Sequence, residues 1–244
     1  LDGAEGWDSF QYTTLQGGNV PEKEIEQARN DLDERTFNQE YCAEFVTYSG
    51  LIYYAFSREL TVQSIEDTSG TLHIGMDFNL DPMSAVICLR HGQDLLAIDE
   101  IVMYGSNTDE MVAEIKDRYP DRHCIIYPDP ASRQRKTSAG GRTDLSILQN
   151  AGFSVKAKKA HPLVRDRINA VNSRLLSGDG SRHLFVSPKC KQTIKSLERQ
   201  TYKEGTSIPN KDGTDHMNDA LGYLVEYLFP IRTEYNTEQP TRWT

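Results

Sequence analysis

Residues 71–103 carry three strand patterns in succession, and the first of them ends on a carboxylate. Within Thr71–Asn79, apolar Leu72, Ile74 and Met76 alternate with His73, Gly75 and Asp77, the two-residue period of a strand. Met83–Leu89 is a second apolar run, His91-Gly92-Gln93-Asp94 reads as a hairpin-like turn, and Leu95–Met103 is a third strand. Consecutive strands joined by short turns imply antiparallel pairing, so the sheet opens as a meander. A carboxylate at the mouth of a buried strand is costly unless a metal, a hydrogen bond or a cation satisfies it. Asp77 is therefore the first candidate functional residue.

After the meander the pattern changes to alternating helices and strands. Thr108 reads as the cap of a helix through about Arg118, with Asp109 and Glu110 in its first turn. His123–Tyr127 is a continuous β-rich run, expected to be buried on both faces, and it leads into Pro128-Asp129-Pro130. Asp144–Asn150 is a helix stopped by Gly152, and Phe153–Val155 a fifth strand. Pro162 opens a helix to about Ser177 with Val164, Ile168, Val171 and Leu175 as its apolar stripe. Leu184–Val186 is a short strand, Pro188 opens a helix through about Glu198, and Tyr202–Gly213 reads as a mobile polar loop. The last helix spans about Asp215 to Leu228 and Pro230 stops it. The expected architecture is α/β: a mixed sheet, antiparallel first and parallel after, flanked by helices.

Ahead of residue 71 the chain promises less of a core. Residues 1–20 read as irregular, Pro21–Leu32 and Thr36–Phe45 as helices, Leu51–Phe56 as an extended or docking segment, and residues 63–70 as a linker. The expected division is 1–70 as a connector, 71–230 as the main domain and 231–244 as a loosely ordered tail. The start lacks an initiator Met, which suggests a piece of a longer protein, and it shows no signal peptide. No apolar run is long enough to span a bilayer, so no membrane partner is expected.

Four cysteines without a CxxC pair argue against a zinc site; Cys88 and Cys124, inside apolar runs, read as buried free thiols. The net charge of −9 weighs against general attraction to nucleic acid. The charge is uneven, however. Arg133, Arg135, Lys136, Arg142, Lys156, Lys158, Lys159, Arg165, Arg167 and Arg174 fall in one stretch, opposed only by Asp144 and Asp166. An acidic protein with one basic face can still hold a phosphate backbone there.

Asp77 ends the first strand, Asp129 ends the fourth, and Asp215 and Asp219 lie one turn apart on the last helix. If the first and fourth strands are neighbours, Asp77 and Asp129 are adjacent and the last helix can cross above both. Gathered carboxylates call for a cation, and hard oxygen donors select Mg²⁺ or Mn²⁺. Two such ions, spaced about 3.5–4 Å apart, suit phosphodiester hydrolysis. Each acid also has a local explanation: a strand-end turn for Asp77, a turn between prolines for Asp129, a helix N-cap for Asp215. His216 is open to three roles: ligand, proton shuttle or surface histidine. Lys158, Lys159, His161 and Arg165 are DNA contacts or a solvated basic face.

Gly75-Met76-Asp77-Phe78, Ala85-Val86-Ile87, Ile126-Tyr127-Pro128-Asp129 and His216-Met217-Asn218-Asp219-Ala220-Leu221-Gly222-Tyr223 together resemble the C-terminal nuclease domain of the large terminase subunit of tailed double-stranded DNA bacteriophages, of the short-tailed, headful-packaging type. Upstream, Gln39–Phe45 and Gly50–Phe56 are similar to that family's segment between packaging ATPase and nuclease, and no GxxxxGK[ST] phosphate loop is present. The resemblance implies a ribonuclease H-like fold over about residues 71–230 and metal-dependent DNA cleavage during genome packaging. It implies Asp77, Asp129 and Asp219 as metal-binding acids, with Asp219 favoured over Asp215 by the His-x-x-Asp-Ala spacing. It implies Mg²⁺ or Mn²⁺, two ions with DNA bound. The implied partners are double-stranded DNA and, in the full-length motor, the portal protein and the small terminase subunit. The setting would be the infected host's cytoplasm, transiently at the procapsid portal, with the isolated domain a monomer. Arg133, Arg135, Lys136, Arg142, Lys158, Lys159 and Arg165 are the candidate DNA contacts.

Overall fold

The computed structural model describes residues 10–44, 50–79, 81–130, 142–158 and 160–231. Six strands form one sheet: β1 (Leu72–Asp77), β2 (Met83–His91), β3 (Asp94–Met103), β4 (Cys124–Pro128), β5 (Ser154–Val155) and β6 (Leu184–Val186). Their order is β5-β4-β1-β2-β3-β6, so β1 lies inside the sheet. β1, β2 and β3 pair antiparallel, while β4 on β1, β5 on β4 and β6 on β3 pair parallel. The mixed sheet expected from the sequence is the one observed.

The described helices are α1 (Thr14–Gly17), α2 (Glu22–Asp31), α3 (Glu34–Tyr41), α4 (Arg58–Thr61), α5 (Thr108–Arg118), α6 (Asp144–Asn150), α7 (Val164–Leu175), α8 (Lys191–Arg199) and α9 (Asp215–Leu228). They cover both faces of the sheet. Leu72, Ile74 and Met76 of β1 point to one side and pack with Met111 and Ile115 of α5 and Leu148 of α6. On the other side Val86, Cys88, Leu95 and Ala97 meet Ile168 and Val171 of α7, Ile194 and Leu197 of α8, and Leu221 and Leu224 of α9. Both faces of β1 are thus covered, and the alternation of Leu72–Asp77 does not separate core from solvent. Its polar side, His73, Gly75 and Asp77, lies under α9, and His73 bonds the Tyr127 hydroxyl at 2.8 Å.

Several boundaries differ from the sequence expectation, each for a local reason. The β2–β3 ladder runs on to His91↔Asp94, leaving only Gly92-Gln93 as the turn. Gly92, at φ 63°, supplies the left-handed position that such a two-residue turn needs. Asp99 and Glu100 consequently sit mid-strand, not at its end. Asn107, not Thr108, caps α5, accepting from Glu110 N at 3.0 Å while the Glu110 side chain returns to Asn107 N at 3.3 Å. Residues 1–20 are not wholly irregular: Thr13 and Gln16 form the same reciprocal cap on α1. Helix α3 begins earlier than expected because Asp33 caps it, and α7 and α8 begin a few residues after the prolines expected to open them. Phe45 lies outside the described residues. Val164 is 45% exposed and leaves the apolar stripe of α7.

The segment from residue 50 is neither a strand nor detached. Ile52, Tyr53 and Ala55 are buried in the same cluster as α7, α8 and α9. Ile52 N donates to Gln200 O at 2.9 Å, and Gln63 N to Val186 O at 3.1 Å. Tyr202–Gly213, read as a mobile loop, is braced by Lys203 N to Ile208 O at 2.8 Å and Asn210 N to Thr201 O at 2.9 Å. Cys88 and Cys124 are buried free thiols, as expected. No helix among the described residues is long and apolar enough to cross a membrane.

Candidate metal centre

The parallel pairing of β1 and β4 sets the site. Met76 is in register with Pro128, and Asp129 N donates to Met76 O at 3.0 Å. Asp77 and Asp129 therefore leave the C-terminal ends of adjacent strands together. Helix α9 lies against β1, β2 and β4 and carries Asp215 and Asp219 over this edge. Gly75 permits that approach, since a Cβ there would stand 2.1 Å from Ala220 O and 2.9 Å from Leu224 Cβ. The glycine is two residues before Asp77, and the carbonyl it admits belongs to the residue after Asp219.

Each of three acids is held by a base from elsewhere in the chain. His216 Nδ1 lies 3.1 Å from Asp77 Oδ2 and 3.1 Å from Asn79 Nδ2. Arg167 Nη1 donates to Asp219 Oδ1 at 2.8 Å. His161 Nδ1 stands 3.3 Å from Asp129 Oδ1. Asp215 is the first residue of α9 and not its N-cap, which is Thr214; it accepts from Gly213 N at 3.2 Å and lies 4.0 Å from His216 Nε2. Asp77 and Asp215 are buried.

The protonation balance follows from this packing. The hydrogen bond to Asp77 raises the His216 pKa; burial opposes it, and Asp215, Asp77 and Asp219 add to the rise. Burial raises Asp219 first of all; Arg167 pulls it down, but Asp77 and Asp215 push it up and the net shift is upward despite the ion pair. Burial also raises the phenol of Tyr223, which feels Asp129, Asp219 and Asp77 together. The acids thus act on one another, and a cation relieves that repulsion.

Oxygen-only donors of this kind fit a hard divalent ion. Among the described residues no three histidines, cysteines or acids are already closed into a ligand set. The oxygens of Asp77, Asp129 and Asp219 point to basic partners, so an ion would compete with those partners for them.

Arg167 was legible only as one charge in a basic stretch; its place inside the site was not. The guanidinium is buried and stacks over the Tyr223 ring at 4.4 Å. Arg174 is buried too, so the stretch is not one continuous exposed face. Lys158 pairs with Glu226, Arg142 with Asp109 at 3.3 Å and the exposed Arg165 with Asp166 at 3.5 Å. Arg133, Arg135, Lys136 and Lys159 lie outside the described residues. His161, a candidate DNA contact by sequence, faces Asp129. Asn79, beside His216, had no distinguishing sequence signal.

Comparison with known proteins agrees with this architecture. The chain is 24% identical over 252 residues to the large terminase subunit of Escherichia phage T5, covering 92% of this chain and 52% of that protein. It thus spans about half the length of this curated relative. A full-length large terminase from a thermophilic bacteriophage superposes with a TM-score of 0.68 at 17% identity, over 88% of this chain and 54% of that one. The P22 large terminase nuclease domain gives 0.57 at 15% identity, over 75% and 95%. The large terminase nuclease of thermophilic phage G20c, solved with bound magnesium, gives 0.50 at 14% identity, over 74% and 98%. A family model described as the terminase RNaseH-like domain matches residues 74–228, from the strand that carries Asp77 to the end of the helix that carries Asp219. The chain belongs to the terminase RNaseH-like domain family.

Proposed function

We propose that this chain is a metal-dependent DNA endonuclease that cuts concatemeric viral genomes during packaging, as part of a large terminase subunit. The observation that carries the reading is the convergence of Asp77 and Asp129, from adjacent parallel strand ends, beneath Asp219 of α9. Asp77, Asp129 and Asp219 would hold Mg²⁺ or Mn²⁺, two ions with DNA bound, and Asp215 is a further candidate oxygen donor. The magnesium in the G20c nuclease is consistent with that choice. A bound divalent ion supplies Lewis acidity and a nucleophilic water at neutral pH.

The chain's own groups do the rest. His216 orients the Asp77 carboxylate and is placed to accept or return a proton at Nδ1 or Nε2. Arg167 fixes Asp219 and keeps positive charge against the cluster before substrate arrives. Double-stranded DNA is held through its phosphates by Arg133, Arg135, Lys136, Arg142, Lys158, Lys159 and Arg165, giving low sequence specificity. Residues 1–70 connect to an upstream packaging ATPase and 231–244 form a tail. The partners are the portal protein and small terminase subunit, in the host cytoplasm and at the procapsid portal. The packaging is of the headful type and the isolated domain a monomer.

Plasmid nicking in Mg²⁺, Mn²⁺ or EDTA tests this. Cleavage is expected only with metal, and Asp77→Asn and Asp219→Asn should each lower it by at least about 100-fold. Cleavage that survives EDTA, or full activity in both variants, would overturn the assignment. The specific pairing of each acid with Arg167, His161 or His216 favours one other reading, a noncatalytic docking module in which these pairs are structural. That module predicts no metal-dependent nicking by the unaltered chain.

A further inference from the structure

A cavity of about 160 Å³ opens beside the acids, between α7, the first turns of α9 and the braced segment 200–211. Asp215 and Asp219 form part of its wall. Val164 and Ile208, also in its lining, are 45% and 56% exposed, so its mouth is open and apolar. Ile168 and Pro209 continue the apolar lining, and Lys211 adds a cation.

Two further lining residues carry unmet hydrogen-bonding capacity. Asn218 is 1% exposed; its Nδ2 donates to Gln200 Oε1 at 2.8 Å, while its Oδ1 has no partner. Arg167 is 8% exposed; its Nη1 is used by Asp219, while its Nε has no partner. One open acceptor and one open donor stand among apolar surfaces, next to carboxylates assigned to a phosphodiester.

We propose that this cavity receives one unpaired nucleobase of the DNA strand being cut, flanking the scissile phosphate. The inference rests on the nuclease reading above and deepens it by naming a subsite. A heterocyclic base offers apolar faces to Val164 and Ile208, and an amide-like edge carrying both N–H and C=O for Asn218 and Arg167. Lys211 meets the charge of its backbone. A base inside a duplex is stacked and paired and cannot enter a cavity, so the subsite selects a nucleotide that has left the stack. The chain should then favour DNA with at least one unpaired position.

The test is binding in EDTA, where no cleavage occurs, using the full chain with an end-labelled single-stranded oligonucleotide and the corresponding duplex. Ile208→Trp and Val164→Trp fill the cavity from opposite walls, at exposed positions that tolerate a larger side chain. Each is expected to weaken single-strand binding about tenfold, the scale of one lost base contact, with duplex binding changed by less than about twofold. Equal losses on both DNAs, or no loss on either, overturn the proposal. Because binding is read without metal, this result stands apart from the nicking assay: loss of the nuclease reading shows there as metal-independent or absent cleavage, and loss of the subsite shows here.

Discussion

Gly75 is where a single atom decides the site. A methyl group there would meet Ala220 O at 2.1 Å, a backbone atom that cannot turn aside. Gly75→Ala must push α9 off β1, and overpacking of this kind costs about 1–3 kcal/mol or more. A lower urea midpoint together with lost nicking is the expected outcome; an unchanged midpoint would mean that α9 yields freely. A second single-residue effect is readable by pH. The Ser177 hydroxyl, with the Ser181 backbone and hydroxyl, holds the Asp179 carboxyl below its ordinary value, against a small opposing effect of burial. The ionised acid is thus favoured in the fold, so its contribution is present above the unfolded carboxylate range and fades as pH falls through the lower folded value. Asp179→Asn should flatten the acid side of the stability profile below about pH 4 and leave the alkaline side alone, as measured by denaturant unfolding at a series of pH values.

At the scale of elements, strands position helices through side chains that the sequence pattern does not single out. Glu100, mid-strand in β3, accepts from Gln192 N and Thr193 N at 2.8 Å each and from the Thr193 hydroxyl at 2.9 Å. It therefore caps α8 from another element, where Cys190 makes no side-chain cap. Glu100→Ala should destabilise the chain by about 1–2 kcal/mol, the range of a lost N-cap, with cleavage retained. Calorimetry on the variant checks this. Thr108 to Asp144, 2.6 Å, similarly joins the first turns of α5 and α6. The hydrophobic periods of both helices are visible in the sequence; the contact between their ends depends on β4 running between them and is not.

For the molecule as a whole, the segment before β1 belongs to the same packed body. Ile52, Tyr53 and Ala55 close the core beside α7, α8 and α9, and Arg182 Nη1 and Asn172 Nδ2 bond the carbonyls of Ala55 and Ile52 at 3.0 Å each. Removing residues 1–63 should expose that surface and lower the thermal midpoint by about 10 °C or more, since three buried side chains are together worth several kcal/mol. A truncated chain as stable as the parent would show the segment to be dispensable. Charge is also a property of this scale. A net charge of −9 coexists with DNA binding only if the cations act locally. Neutralising Arg133, Arg135 and Lys136 together should reduce the slope of log affinity against log salt by about 2–3.

The sequence by itself determined the order of strands and helices, the antiparallel opening of the sheet and the acids that end β1 and β4. These depend on short-range physics: a two-residue or 3.6-residue period, a glycine in a tight turn, a proline near a helix start. Only the tertiary structure decided which partners those acids have. Arg167 and Asp219 are 52 residues apart, and His216 and Asp77 are 139 apart. No local pattern joins such pairs, because their meeting requires β4 to return beside β1 and α9 to cross both. The same topology turned a residue of a basic stretch into a buried counterion. It also turned Gly75, an unremarked break in an apolar alternation, into the contact on which the acids' convergence depends.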